Sequence, residues 1–270
     1  MHGDMTALIT SHANPKIKQA RALRQRKARE ASGLFLVEGI FHVGEALAAG
    51  APIEYICYAP DLLASDFAHQ LIERASASGV PCYATTAEVL ASLAEKDNPQ
   101  GLLAVVRQRR TVLTELNPTD FSWGVAVVAP QDPGNVGAIL RTIDAVGADG
   151  LLLLDSSVDP HHPTAVRASM GTLFWHPVAV ASFGEWARWA GQHGYHVYGT
   201  SAHASADYGS VARYERPLIL LLGSEREGLS PEQTVACEQM IRLPMYGRVT
   251  SLNLAVAAGV LLYAIRERLN

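Results

Sequence analysis

The chain predicts an α/β protein of two domains, and three observations carry that reading. Apolar strand-like runs alternate with amphipathic helical segments almost from end to end. The runs Leu151–Leu154 and Leu218–Leu222 are apolar without alternation, as expected for parallel strands covered on both faces. A polar, Pro-containing stretch over residues 108–122 separates two such alternating regions and reads as a linker.

Asn14-Pro15 is a good helix start, with Asn as cap and Pro in the first turn. A helix from there would stop at Gly33, a C-terminal cap. The expected order then runs strand Leu34–Val37, helix Phe41–Ala49, strand Ile53–Tyr58 and helix Asp61–Ser78. Strand Val80–Ala84, helix Ala87–Glu95 and strand Leu102–Val106 complete a compact βαβαβαβ unit. The second region reads strand Val125–Ala129, helix Val136–Val146, strand Leu151–Leu154, helix Thr164–Met170, strand Pro177–Ala181 and helix Phe183–Gln192. It continues with strands His196–Gly199 and Leu218–Leu222, helix Pro231–Ala236, strand Met240–Leu243 and helix Ser251–Arg268. The division is therefore a basic N-terminal helix (1–33), a small α/β domain (34–107), a linker (108–122) and a larger α/β domain (123–270).

A hydrophobic content of 49% with 18% charged residues, over 270 residues, is that of a globular protein with a good core. The longest apolar run, Leu254 to Ile265, is too short to span a bilayer, and Met1 to Thr10 lacks the basic head and apolar core of a secretory leader. The three cysteines (Cys57, Cys82, Cys237) sit in apolar or helical patterns, so buried thiols in a reducing cytoplasm are expected. The net charge of −4 conceals an asymmetry. Lys16, Lys18, Arg21, Arg24, Arg26, Lys27 and Arg29 form a segment free of acids, and without those seven charges the body carries −11. An acidic body with one dense basic segment points to a polyanionic partner; charge alone leaves a solvated helix face equally open.

Three polar stretches stand where strands should end: Gln131–Arg141, Gly223–Ser230 and Leu243–Asn253. Ligands of open α/β sheets collect at the carboxyl ends of the strands, so the three describe one site. Several chemistries fail there. Gly223 to Ser230 has a Gly-x-x-x-x-Gly frame, but Leu229 stands where a phosphate loop needs lysine, and two glutamates would repel a polyphosphate. Pro133-Gly-Asn-Val-Gly137 lacks dinucleotide spacing, and no Gly-x-Ser-x-Gly elbow or electropositive cysteine is present. His161-His162, His193 and His196 lack partners at metal-ligand spacing, so no metal is expected. What remains is Arg141, Asn135, Glu225, Ser251 and Asn253. Such a set can orient a polyanion and a hydroxyl nucleophile, which suits group transfer from an already activated donor.

These stretches resemble, in order, the three motifs of the SpoU (TrmH) family of RNA 2′-O-ribose methyltransferases: Asn135-Val-Gly-Ala-Ile-Leu-Arg141 with its Gln131-Asp-Pro-Gly lead, Leu222-Gly-Ser-Glu-Arg-Glu-Gly228, and Leu243-Pro-Met through Ser251-Leu-Asn253. Val158-Asp-Pro and Arg167-Ala-Ser-Met-Gly171 are also similar, and the match runs from about Trp123 onward. Phe35-Leu-Val-Glu-Gly39 and Asn98-Pro-Gln-Gly101 resemble, less specifically, the ribosomal-protein-like RNA-binding domain fused to many members. The resemblance implies a C-terminal trefoil knot binding S-adenosylmethionine, which composition and periodicity do not show. Carried over, the cofactor lies near Thr200, Gly223, Leu243 and Leu252. Arg141 matches the arginine at the target ribose, acting either as base or as phosphate clamp; guanidinium chemistry favours the clamp.

Asn135, Glu225, Ser251 and Asn253 match the other motif residues. For Glu225 a salt bridge to Arg141, or a role in the turn at Arg226, stands beside direct contact. Ser251 could instead cap the last helix. Leu254-Ala255 departs from the valine and serine of many members, which puts one cofactor-side hydroxyl in doubt. The last helix is apolar nearly all round and must bury two faces, in agreement with the family's homodimers. An ordinary Rossmann-type nucleotide enzyme and a non-catalytic RNA-binding module of the same fold are the competing readings.

Overall fold

The structure, a computed structural model, describes residues 8–94 and 100–269. Residues 1–7, Glu95 and the Asn98-Pro99 part of the second resemblance lie outside the described residues. The chain forms two compact units, residues 8–109 with His161–Arg167, and Arg110–Pro160 with residues 168–269.

In the first unit, α1 (Pro15–Ala22) and α2 (Arg26–Ser32) precede β1 (Leu34–Glu38), α3 (Ile40–Ala48), β2 (Ile53–Tyr58), α4 (Asp66–Ala77), β3 (Cys82–Ala84), α5 (Ala87–Ala91) and β4 (Leu102–Arg107). The sheet order is β1-β4-β2-β3. The last strand, β4, runs antiparallel between β1 and β2, with Leu36 opposite Val105 and Ile56 opposite Ala104, while β2 and β3 are parallel. The Asn14 side chain accepts from the Lys16 N–H at 2.9 Å, and Gly33 ends α2 in the left-handed region (φ 66°), as the sequence predicts. The helix expected over Asp61–Ser78 is instead a single turn at Pro60–Leu62 and then α4, which Ser65 caps.

The single basic helix expected from Asn14 to Gly33 is two helices. The break at Leu23–Gln25 has a physical cause in Arg29. Its Nη1 turns back to donate to the carbonyls of Leu23 and Arg24, both at 2.9 Å, satisfying acceptors that the end of α1 leaves open. Arg29 is 1% exposed and so leaves the expected RNA-binding set. Nor is the segment separate from the domain behind it. Ile17, Ala20 and Leu23 are buried in one core with Leu36, Tyr55, Cys57, Leu90 and Leu103.

In the second unit the elements are β5 (Trp123–Val128), α6 (Pro133–Val146), β6 (Gly150–Leu154), α7 (Pro163–Ala168, which straddles the boundary of the two units), β7 (Val178–Ala181), α8 (Phe183–Gln192), β8 (His196–Thr200), β9 (Ala206–Asp207), β10 (Leu218–Leu222), α9 (Pro231–Val235), β11 (Gln239–Arg242) and α10 (Leu254–Arg268). The sheet has seven parallel strands in the order β7-β6-β5-β10-β8-β11-β9. Every residue of β5, β6 and β10 is buried, which explains their unalternated apolar sequences. The stretch read as a linker is packed from Arg110 onward. Leu113, Leu116 and Phe121 join Trp186, Trp189 and Ile219 in the core of this unit. The two-residue β9 carries no periodicity by which a sequence could announce it.

Candidate active site

Two neighbouring central strands, β5 and β10, send their following connections in opposite directions along the sheet. After β5 the chain goes through α6 to β6; after β10 it goes through α9 to β11, on the other side. The crevice outside their carboxyl ends is the topological switch point, where open α/β sheets bind ligands.

The first loop is built by a strained exit and a strong cap. Ala129 leaves β5 with φ 45°, a left-handed conformation that costs an alanine about 1 kcal/mol. Asp132 then caps α6, its Oδ1 accepting from the Gly134 N–H at 2.7 Å, with Pro133 in the first turn. Gln131 ties this loop to the one after β6 by donating to the carbonyls of Ala129 (2.9 Å) and Ser156 (3.2 Å). Asn135 falls in the first turn of α6 and is 7% exposed.

The second loop leaves β10 at Gly223 and closes at once. Ser224 and Gly228 exchange backbone hydrogen bonds (3.2 and 3.1 Å), and the Ser224 hydroxyl accepts from the Glu227 N–H. Gly223 has to be glycine. A Cβ there would lie 2.2 Å from the Gly228 carbonyl carbon and 2.5 Å from the Leu229 nitrogen. The turn presents Glu225 to the first loop. One oxygen accepts from Asn135 Nδ2 and the other from the Gln131 N–H, each at 3.2 Å.

The third loop ends at Asn253, whose Oδ1 accepts from the N–H groups of Ala255 (2.9 Å) and Val256 (3.3 Å) and so caps α10. Its Nδ2 donates to Asn135 Oδ1 at 2.9 Å. The amide orientations are mutually fixed. A carboxylate can only accept, so Asn135 must aim its amino group at Glu225 and its carbonyl at Asn253. Asn253 must then give its own carbonyl to the helix. One chain of hydrogen bonds, Gln131–Glu225–Asn135–Asn253, joins the three loops.

The structure thus brings Asn135, Glu225 and Asn253 together, and it places the other two motif residues apart. Arg141 lies six residues beyond Asn135 on α6, about 9 Å along the axis. It is exposed and has no hydrogen-bond or ion-pair partner among the described residues. The alternative salt bridge from Glu225 to Arg141 is therefore not made. Ser251 is exposed and is not the cap; Asn253 is. Of the residues expected at the cofactor, Thr200, Gly223 and Leu243 stand at the carboxyl ends of β8, β10 and β11, and β8 lies between the other two. The Thr200 hydroxyl donates to the Leu221 carbonyl at 3.3 Å, while Leu252 is exposed ahead of α10.

Sequence reasoning missed the Gln131 backbone N–H as a partner of Glu225, and also the left-handed Ala129, because alanine gives no signal for that conformation. Burial pushes the Cys57 thiol up to about 12 and the Cys237 thiol up to about 11, and raises that of Cys82, which disfavours the thiolate at all three. Among the described residues no group of three His, Cys, Asp or Glu side chains is arranged to hold a metal ion.

Known proteins resemble this chain in sequence and fold. Residues 123–263 match the SpoU rRNA Methylase family, and residues 14–104 match the MRM3-like substrate binding domain. A 23S rRNA (uridine(2479)-2′-O)-methyltransferase of Streptomyces viridochromogenes is 34% identical, covering 97% of this chain and 93% of that protein. A tRNA/rRNA methyltransferase of Synechocystis, described as uncharacterized, is 32% identical, covering 97% and 94%. The AdoMet-bound rRNA methyltransferase of Sinorhizobium meliloti superposes with a TM-score of 0.88 at 34% identity over 98% of both chains. The S. viridochromogenes SpoU methyltransferase AviRb in complex with AdoMet gives 0.83 at 31% identity, covering 94% of this chain and 99% of that one. With its motifs, its paired domains and relatives matched over nearly their whole length, the chain belongs to the SpoU rRNA methylase family.

Proposed function

We propose that the protein is an S-adenosylmethionine-dependent RNA methyltransferase that methylates a ribose 2′-hydroxyl of ribosomal or transfer RNA. The observation that carries this is the bonded chain Glu225–Asn135–Asn253, which assembles three motif loops at the switch-point crevice of a fold whose solved relatives hold AdoMet. The residues present fit such a cofactor. Gly223, Leu243 and Leu252 offer backbone groups and apolar surface at neighbouring strand and loop ends. From Pro244 to Ser251 the chain makes no hydrogen bond among the described residues, so its main-chain groups are available to a ligand.

When bound, the cofactor supplies a methyl group on a sulfonium, an electrophile that needs no further activation. Transfer to the 2′-oxygen would form a C–O bond as the C–S bond breaks, leaving S-adenosylhomocysteine as the neutral thioether and passing the hydroxyl proton to solvent water. The protein's part is to bring the hydroxyl in line and to offset the charge around it. Arg141, exposed and unpaired among the described residues, is suited to clamp the phosphate beside the target ribose, and a guanidinium that stays protonated favours that role over base. Glu225 holds Asn135 and the first loop in place. Incubating RNA with labelled S-adenosylmethionine and mapping alkali-resistant dinucleotides tests the activity. Label in a base, or none in RNA, would overturn it.

The finer reading includes a trefoil knot, a homodimer and a cytoplasmic enzyme that needs no metal. The order of insertion supports the knot. β10 enters between β5 and β8, and β11 between β8 and β9, each after both its neighbours in the chain. No helix among the described residues is long and apolar enough to cross a membrane. For the dimer, α10 packs one side against α6 and leaves Val256, Val260 and Tyr263 exposed at helical spacing, while Leu261 and Leu262 are buried. Val260→Asp should therefore give a particle near 29.0 kDa by light scattering, with thermal stability little changed. Leu261→Asp should instead unfold the domain. A wild-type mass already near 29.0 kDa at micromolar concentration would sink the dimer.

RNA contact by the first domain rests on fewer charges than the sequence offered. Lys16 lies over the Tyr55 ring at 4.7 Å, Arg21 donates to the Ser92 hydroxyl at 2.9 Å, Arg24 to the Ala94 carbonyl, and Arg26 pairs with Glu30 at 2.7 Å. The Lys18 and Lys27 side chains are exposed and unpaired among the described residues. Filter binding across a salt series should show the log–log slope flatten by about 1.4 when both become Gln, at about 0.7 per contact on single strands. Arg29→Ala should leave that slope alone and cost about 3 kcal/mol in urea unfolding. An unchanged slope in the double variant would mean RNA is gripped elsewhere.

A further inference from the structure

The third loop carries a side chain that neither the fold nor the hydrogen-bonded chain of the site uses. Tyr246 is 94% exposed, more than any other large apolar or aromatic side chain among the described residues. An aromatic ring held almost wholly in water forgoes burial that even the other exposed rings, Phe41, Phe67, Trp175 and Tyr263 at 38–55%, obtain in part. The segment around it is equally unspent. Gly247, Arg248, Val249, Thr250 and Ser251 are all exposed, and none of them makes a hydrogen bond among the described residues. Yet both ends are fixed. Leu243 continues directly from β11, and Asn253 is bonded to Asn135 and to the first turn of α10. The tip is thus carried by the active site rather than by a remote surface.

Its charge is also selective. From Leu243 to Asn253 there is one cation, Arg248, and no acid, in a protein of net charge −4. Arg248 has no ion-pair or hydrogen-bond partner among the described residues. An exposed ring two residues from an unpaired guanidinium matches the two faces of a single-stranded nucleotide. A base offers a π surface to an aromatic ring, and the adjoining phosphate offers charge to arginine.

We propose that Tyr246 stacks on an unpaired base at or next to the methylated nucleotide, and that Arg248 binds the phosphate beside it. This rests on the methyltransferase reading and deepens it, because it makes the substrate a splayed or looped-out nucleotide rather than a continuous duplex. The hydroxyl of Tyr246 is not required; the ring is.

Steady-state methyl transfer to protein-free, in vitro transcribed 23S rRNA and transfer RNA tests this in the full-length protein. Tyr246→Ala should raise the KM for RNA about 10-fold, within the range that loss of one base stack gives. Tyr246→Phe should stay within about two-fold of wild type, as a π face alone predicts. The cofactor Kd by calorimetry should move less than about two-fold in either. Arg248→Ala should flatten the salt slope of RNA binding by about 0.7. Equal KM for Tyr246→Ala and wild type would overturn the stack. So would a cofactor Kd that weakens in step with KM, which would make the loop a cofactor cover, or a Phe variant as impaired as Ala. An unchanged slope in Arg248→Ala would remove the phosphate contact. If wild-type protein methylates neither RNA at a ribose, the underlying reading fails and this one with it.

Discussion

Arg141→Ala is expected to lower kcat about 1000-fold while leaving the S-adenosylmethionine Kd within a few-fold of wild type. The size follows from losing a positioned cation where charge develops, which typically costs two to three orders of magnitude. The separation of the two effects follows from geometry. Arg141 lies on α6, six residues or about 9 Å along the axis beyond Asn135, and shares no hydrogen bond with Gly223, Leu243 or Leu252 among the described residues. It is exposed and unpaired among the described residues, so its removal should not disturb the fold. Arg141→Lys distinguishes the two roles left by the sequence. A lysine keeps the charge but not the fork, so partial recovery supports a phosphate clamp. Calorimetry showing cofactor binding lost together with activity would mean that this residue has been misplaced.

Gly223→Ala should be the most damaging small substitution in the chain. The new methyl group would meet backbone atoms of Gly228 and Leu229 at 2.2 and 2.5 Å, and backbone within a bonded turn cannot move aside as a flexible side chain can. The Ser224–Gly228 turn has to open, and Glu225 then leaves Asn135 and Gln131. Asn135, nearly buried, keeps an unpaired amide. The expected result is loss of methyl transfer, cofactor affinity down by about 100-fold, and a stability loss of about 3 kcal/mol. Cofactor titration and urea unfolding measure the two separately. A Gly223→Ala protein with wild-type turnover would show that the closed turn is not needed to hold the site.

Much of the architecture was legible because local chemistry and tertiary demand agree. The Asn14 cap, the Gly33 terminator and the unalternated aliphatic runs at Leu151–Leu154 and Leu218–Leu222 each say the same thing in sequence and in space. The failures mark places where a distant group decides. Leu23-Arg24-Gln25 contains good helix formers, and only the return of Arg29 to two carbonyls makes it a break. Ser251 and Asn253 are both competent caps; the bond to Asn135 selects the second. Leu113, Leu116 and Phe121 are spaced too irregularly in a polar stretch to announce that they fill a core. Strand order leaves no trace in periodicity at all, so the antiparallel β4 and the late insertion of β10 and β11 could not be read from the residues. The motif residues were legible as a set, but which of them touch was not, since hydrogen bonds between positions 118 residues apart have no local signature.

That same strand order has a consequence in time. A ribosome makes the chain from one end, and domains generally fold as their residues emerge. Here β5 and β8 are both made before β10, which must lie between them, and the first-loop Asn135 waits for Asn253 to arrive. The nascent protein can therefore fold most of its first domain while its second domain has neither a closed sheet nor an assembled cluster of motif loops. Chemistry begins only once the segment 218–268 has been delivered. On the proposed activity the enzyme is thus silent throughout its own synthesis, and stalled or clipped chains ending before α10 should be inert rather than slow.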